Sequence, residues 1–110
     1  PLIGRHVVAV TLDDYRERIA PARTFATTAE IEALTARGLI RGGSEDNLLV
    51  VHDDRLSAPL RDPSEFALHK VLDLIGDLAL LGRPVAAALS ALKTGHAENQ
   101  ALARALRQAC

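Results

Sequence analysis

Cysteine is nearly absent: the 110-residue chain has one, Cys110, its last residue. No intrachain disulfide is available, and a reducing cytoplasm is the compartment expected. Aromatic residues make up only 3% of the chain, with no tryptophan. Charge of one sign is missing too, since 13 basic and 14 acidic residues leave a net charge of −1. That balance gives no footprint for nucleic acid or an anionic membrane. The longest apolar run without charge, Pro84–Leu92, is too short to span a bilayer. No basic segment leading into an apolar stretch marks a targeting signal at the start. With 48% apolar and 25% charged residues, the composition is that of one folded globular domain. The first residue is Pro1 rather than methionine, and the expectation is that an upstream part has been removed.

What is present alternates between strand-like and helix-like stretches. HVVAVTL (His6–Leu12) is apolar and β-branched enough for a strand, and Asp13-Asp14 is a cap for a short helical turn ending before Pro21. TTAEIEALTARG predicts a helix capped by threonine, supported by early glutamates and stopped at Gly38. LLVVH predicts a second strand, and Pro63-Ser64 opens a long helix. For VAAALSALK (Val85–Lys93), composition favours helix. Ala97–Ala109 predicts an amphipathic closing helix. Short strands and three helices without regular βαβ alternation point to an α+β layered domain.

The long helix carries HKVLDLIGD, in which His69, Asp73 and Asp77 recur at intervals of four. Each step of four advances about 400° at 3.6 residues per turn, so the three form one slowly drifting ribbon. Leu68, Val71, Leu72, Ile75 and Leu78 fall on the other side. A histidine and a carboxylate one turn apart can hold one metal ion, and they can equally satisfy each other within the helix. Gly76 on the same ribbon implies either a close approach or plain helix packing. Downstream, KTGHAEN predicts a small-residue loop that places His96 just before the last helix. The two clusters gain meaning if they meet in space, with Asp77 orienting or charging His96.

Taken together, HKVLDLIGD, KTGHAEN, APARTF and RGGSEDNLLVV closely resemble the bacterial UDP-3-O-acyl-N-acetylglucosamine deacetylases, zinc amidases of lipid A biosynthesis. The order is right from about Val10 to the end. The resemblance implies the second half of a β-α-α-β sandwich enzyme: a two-layer α+β domain over residues 1–110 with a small βαβ insert at about 25–50. It also implies that Val85–Lys93 is a strand, against the composition. By resemblance His69 and Asp73 are two of three protein ligands of Zn2+, and Asp77 pairs with His96, which assists the tetrahedral intermediate and protonates the departing amine. Thr24 resembles the threonine that stabilises the oxyanion. Lys70 and Lys93 resemble contacts to the nucleotide diphosphate, and Phe25, Ile31, Gly43 and Ser44 take substrate-binding positions.

The family's third zinc ligand and its general-base glutamate form a Glu-His pair in the first domain, and no such segment occurs here. His6 and His52 do not sit in that context and read as surface histidines. A catalytic zinc takes three protein ligands, so the chain is expected to be a C-terminal fragment, inactive alone, that needs the missing domain as partner. The expected substrate is UDP-3-O-acyl-N-acetylglucosamine in the cytoplasm of a bacterium with an outer membrane. An exposed interdomain face would favour self-association. Departures from the family pattern include Thr27, Glu45, Leu68 and TFAT in place of TFGF. These leave acyl-chain preference open and support a rival reading: a non-catalytic interaction domain that keeps the fold. A third reading is an unrelated α+β domain with His69 and Asp73 as a structural pair. Ile31, Leu34, Leu39 and Leu48 read as passage or core residues, with core the default.

Overall fold

Thr27 begins the best-defined local element. Its hydroxyl accepts from the Glu30 amide at 3.2 Å while the Glu30 carboxylate accepts from the Thr27 amide at 2.7 Å, a reciprocal cap that starts α1 (Thr28–Ala36). At the other end Gly38, at φ +67°, turns the chain left-handed. The Leu39 and Gly38 amides then return to the carbonyls of Leu34 and Thr35, closing the helix in a Schellman motif. Both ends were legible in TTAEIEALTARG.

The computed structural model describes residues 3–39, 44 and 46–109. Contacts group the chain into two compact units, Pro1–His69 and Lys70–Cys110. In the first, β1 (Thr24–Thr27) and β2 (Leu48–Val51) flank α1 and pair in parallel, with Thr24 opposite Leu48 and Thr27 opposite Val51. A parallel pair needs a crossover, and α1 supplies it. Leu49, Val51 and Phe66 form the buried core, with Phe25 and Leu60 packed against it. The Phe25 and Phe66 rings meet edge to face at 4.7 Å, a favoured aromatic geometry.

The second long element, α2 (Glu65–Ala79), starts in the first unit and runs into the second. The Asp62 carboxylate accepts from the Ser64 amide at 2.8 Å and is held by Arg18 at 2.9 Å, which fixes the chain entering the helix. Phe66, Leu68 and Leu78 are its buried apolar side chains. Gly82, at φ +73°, follows its end. The closing helix α3 (His96–Ala109) is preceded by Gly95, whose amide donates to the Glu98 carboxylate at 3.0 Å. Gly95 itself stays outside the helix, and His96 is its first residue rather than part of the loop expected before it.

The fold is α+β, as expected. Two local expectations are overturned. His6–Leu12 forms no strand: the chain is irregular there, then makes a 3₁₀ turn at Leu12–Asp14 capped by Thr11 and a π-helical turn at Tyr15–Ile19. Val8 and Val10 are half-buried while Val7 is 82% exposed, but no described strand lies beside the stretch to complete a ladder. Val85–Lys93 is neither the strand implied by resemblance nor the helix favoured by composition. Pro84 precedes it, Lys93 sits at φ +52°, and its side chains are exposed. No described strand lies beside it to complete a ladder. Among the described residues, no helix is long and apolar enough to cross a membrane.

Candidate active site

In the first unit a buried ion pair organises the residues beside β1. Glu65 is fully buried and Arg23 is 6% exposed. Glu65 Oε2 accepts from the Arg23 backbone amide and from Arg23 Nε, both at 2.9 Å, while Oε1 accepts from Arg23 Nη2 at 3.1 Å and from the Arg61 amide at 2.7 Å. Arg23 Nη2 also donates to the Pro59 carbonyl at 2.8 Å. Burial pushes the Glu65 carboxyl up, and the hydrogen bonds from Arg23 and Arg61 outweigh it, holding the group below its ordinary range. Sequence reading missed this pair, because 42 residues separate its members. A glutamate in the first turn of an otherwise apolar helix entrance was the one available signal.

His69, one turn along α2 from Glu65, donates from Nδ1 to the Ala22 carbonyl at 2.9 Å. A carbonyl can only accept, so Nδ1 carries the proton and the neutral ring has its lone pair on Nε2. This is the arrangement found around metal-ligating histidines, in which the second nitrogen is fixed by a carbonyl or carboxylate. Thr24 follows Arg23 at the start of β1 and is exposed. Phe25 belongs to the core edge through Phe66, and Ile31 is half-buried on α1. The Ser44 amide donates to the Asn47 side chain at 3.0 Å. Gly43 and Glu45 lie outside the described residues.

In the second unit Asp77 is 8% exposed and gathers the other candidates. Its Oδ2 accepts from His96 Nδ1 at 2.7 Å and from Asn99 Nδ2 at 3.0 Å. His96 Nε2 lies 3.9 Å from Asp73 Oδ1, and Lys70 Nζ lies 3.7 Å from Asp73 Oδ2. The hydrogen bond to Asp77, then the nearby charges of Asp73 and Asp77, raise the pKa of His96 above 6.5, although burial and Lys70 oppose this. A cation at the first residue of a helix also faces the positive end of its dipole. The carboxylates prevail. Asp77 in turn is held below its usual range, chiefly by His96 and despite burial, with Asn99 assisting. Asn99 stands in the GHAEN stretch already singled out, but its role was not read there. Its burial at 3% exposure identifies it as the second donor to Asp77. Lys93 is exposed in the irregular stretch before α3.

His69 and Asp73 supply a nitrogen and an oxygen donor four residues apart on α2, a donor set that suits zinc. Among the described residues, no group of three or more His, Cys, Asp or Glu side chains gathers to hold a metal. Two donors are one fewer than the three protein ligands that a catalytic zinc takes.

A family model described as LpxC, UDP-3-O-acyl N-acetylglycosamine deacetylase, matches residues 1–108. Among curated relatives, a UDP-3-O-acyl-N-acetylglucosamine deacetylase of an Anaeromyxobacter species is 51% identical over 94% of this chain and 36% of its own length. Deacetylases of the same name from Phenylobacterium zucineum and Chlamydia felis are 45% and 48% identical, each over 94% of this chain and over 37% and 39% of their own lengths. The chain thus spans little more than a third of the relatives it matches. It belongs to the UDP-3-O-acyl N-acetylglycosamine deacetylase family.

Proposed function

We propose that this chain is the portion of a zinc-dependent deacetylase that carries the proton-transfer histidine and two of the metal ligands. The reaction is hydrolysis of the N-acetyl group of UDP-3-O-acyl-N-acetylglucosamine in cytoplasmic lipid A synthesis. The observation that carries it is the Asp77–His96 contact at 2.7 Å, reinforced by Asn99. A buried carboxylate that favours the charged form of an exposed imidazole suits a group that is to stabilise a developing oxyanion and then release a proton.

In this reading Asp77 holds His96 Nδ1, and Nε2 faces the reacting amide. Charged His96 stabilises the oxyanion as water adds to the carbonyl carbon. It then gives the Nε2 proton to the departing amine nitrogen as the C–N bond breaks. Thr24 contributes a hydroxyl to the oxyanion, and Lys70 and Lys93 bind the nucleotide diphosphate. His69 and Asp73 would hold zinc, which when bound supplies Lewis-acid polarisation of the acetamide carbonyl. In this reading the third ligand and the general base come from outside these 110 residues, and the 110-residue chain alone is inactive; that the chain spans little more than a third of its relatives supports it.

The test mixes or fuses the chain with the N-terminal part of a relative, then measures zinc affinity and release of acetate from the acylated UDP-sugar. Tight one-to-one zinc binding lost in His69→Ala, with turnover lost in both His69→Ala and His96→Ala, is the expected result. A folded complex with neither zinc nor turnover would refute the reading, and turnover by the 110-residue chain alone would refute the need for a partner.

A further inference from the structure

The Ala22–Arg23 peptide group is gripped at both ends by one helix. Its N–H donates to Glu65 Oε2 at 2.9 Å, and its C=O accepts from His69 Nδ1 at 2.9 Å. Glu65 and His69 are one turn apart on α2, so the two side chains leave the same face and reach the same peptide. We infer that Glu65 is a positioning residue for His69: by fixing the Ala22–Arg23 peptide plane it aims the Ala22 carbonyl at Nδ1 and thereby sets the imidazole tautomer and ring orientation.

Two considerations carry this. A loop carbonyl points wherever its peptide plane is held, and here the N–H end is held by a carboxylate that also accepts from Arg23 Nε, Arg23 Nη2 and the Arg61 amide. Rotating the peptide would break the first bond, while the Arg23 charge and the Arg61 amide keep the carboxylate in place. Stability, moreover, is a poor reason for such a pair. A buried Arg–Glu pair is commonly no better than apolar side chains of the same volume. What an apolar pair cannot supply is an acceptor for the Arg23 amide, and with it the orientation of the carbonyl that His69 uses. The inference deepens the proposed function, resting on His69 as a zinc ligand for its purpose but not for its test.

The test reads the His69 ring by 15N NMR in the full 110-residue chain, without metal, above the ordinary histidine pKa of about 6.5. Wild type is expected to show one neutral form with pyrrole-type Nδ1 and pyridine-type Nε2. Glu65→Leu, and the apolar double variant Arg23→Met/Glu65→Leu, leave the Arg23 amide without that acceptor and are expected to lose the single form and shift toward the Nε2–H tautomer, with His96 signals unmoved. Arg23→Lys keeps the backbone N–H and the charge, and is expected to keep the Nδ1–H form. A wild-type ring that is Nε2–H or mixed overturns the proposal without any variant. So does an unchanged Nδ1–H form in a double variant that still melts cooperatively, or its loss in Arg23→Lys. If neither Glu65 variant folds, the wild-type and Arg23→Lys spectra decide. Because no metal enters this measurement, its failure is distinct from failure of zinc binding in the reconstituted enzyme.

Discussion

Asp77 Oδ2 stands 2.7 Å from His96 Nδ1, across the 19 residues that separate α2 from the start of α3. The consequence is a histidine whose pKa lies above 6.5, chiefly because of that hydrogen bond. In the chain without metal, Asp77→Asn is expected to lower the His96 pKa toward its ordinary value, leaving only the smaller pull of Asp73. An NMR titration of the His96 ring in both proteins measures this. The sign for stability follows from the folded pKa being the higher one. The contribution is fully present below the unfolded pKa of about 6.5 and disappears as pH rises through the folded value. Urea midpoints should therefore fall between wild type and Asp77→Asn at low pH more than at high pH.

Asn99 is expected to matter through Asp77 alone. Its amide donates to a buried carboxylate, and a hydrogen bond to a charged group contributes about 1.5–3 kcal/mol. Asn99→Leu should lower the unfolding free energy by about that amount, read by urea denaturation. The same variant should raise the pKa of Asp77, since one of the donors that lowers it is gone.

Much of the chain was legible because the deciding signals are local. Thr27, Glu30 and Gly38 lie within 12 residues of one another and mark α1 at both ends. The His69–Asp73–Asp77 ribbon follows from helix period alone. The Asp77–His96 contact was expected as well, but only through family resemblance, because a periodic pattern cannot say which distant segment meets a helix face. Arg23–Glu65 lay beyond both routes: two charges 42 residues apart look like ordinary surface residues until the fold removes both from water. The errors have the complementary cause. His6–Leu12 and Val85–Lys93 were judged by composition or resemblance, and strand formation depends on a neighbouring strand that their own residues do not supply.

That dependence makes Val85–Leu92 a measurable region. It enters no helix or strand, and its side chains are exposed, Leu92 by 80%. Its backbone amides are expected to exchange with solvent near the unprotected rate, whereas Leu49 and Val51, buried in β2, should exchange slowly. Hydrogen exchange followed by NMR or mass spectrometry checks both. Protection of Val85–Leu92 equal to that of β2 would contradict the irregular structure.

Glu65 is expected to be the most costly single side chain to remove. Glu65→Ala leaves the Arg23 guanidinium in a buried site without its carboxylate, which costs about 3–5 kcal/mol. Against a typical domain stability of about 5–15 kcal/mol, that is a large share of the total. The double variant Arg23→Met/Glu65→Leu should recover most of the loss, because it removes both charges from the buried site together. Acid should act in the same direction as Glu65→Ala. The folded Glu65 pKa lies below the ordinary 4.5, so its contribution is present above pH 4.5 and is lost as pH falls through the folded value. Urea titrations of wild type, Arg23→Met, Glu65→Leu and the double variant, at neutral and acid pH, close the cycle, with Glu65→Ala measured beside them. A double variant as unstable as Glu65→Ala would mean that the Glu65 side chain contributes chiefly through the backbone amides of Arg23 and Arg61 rather than through the guanidinium.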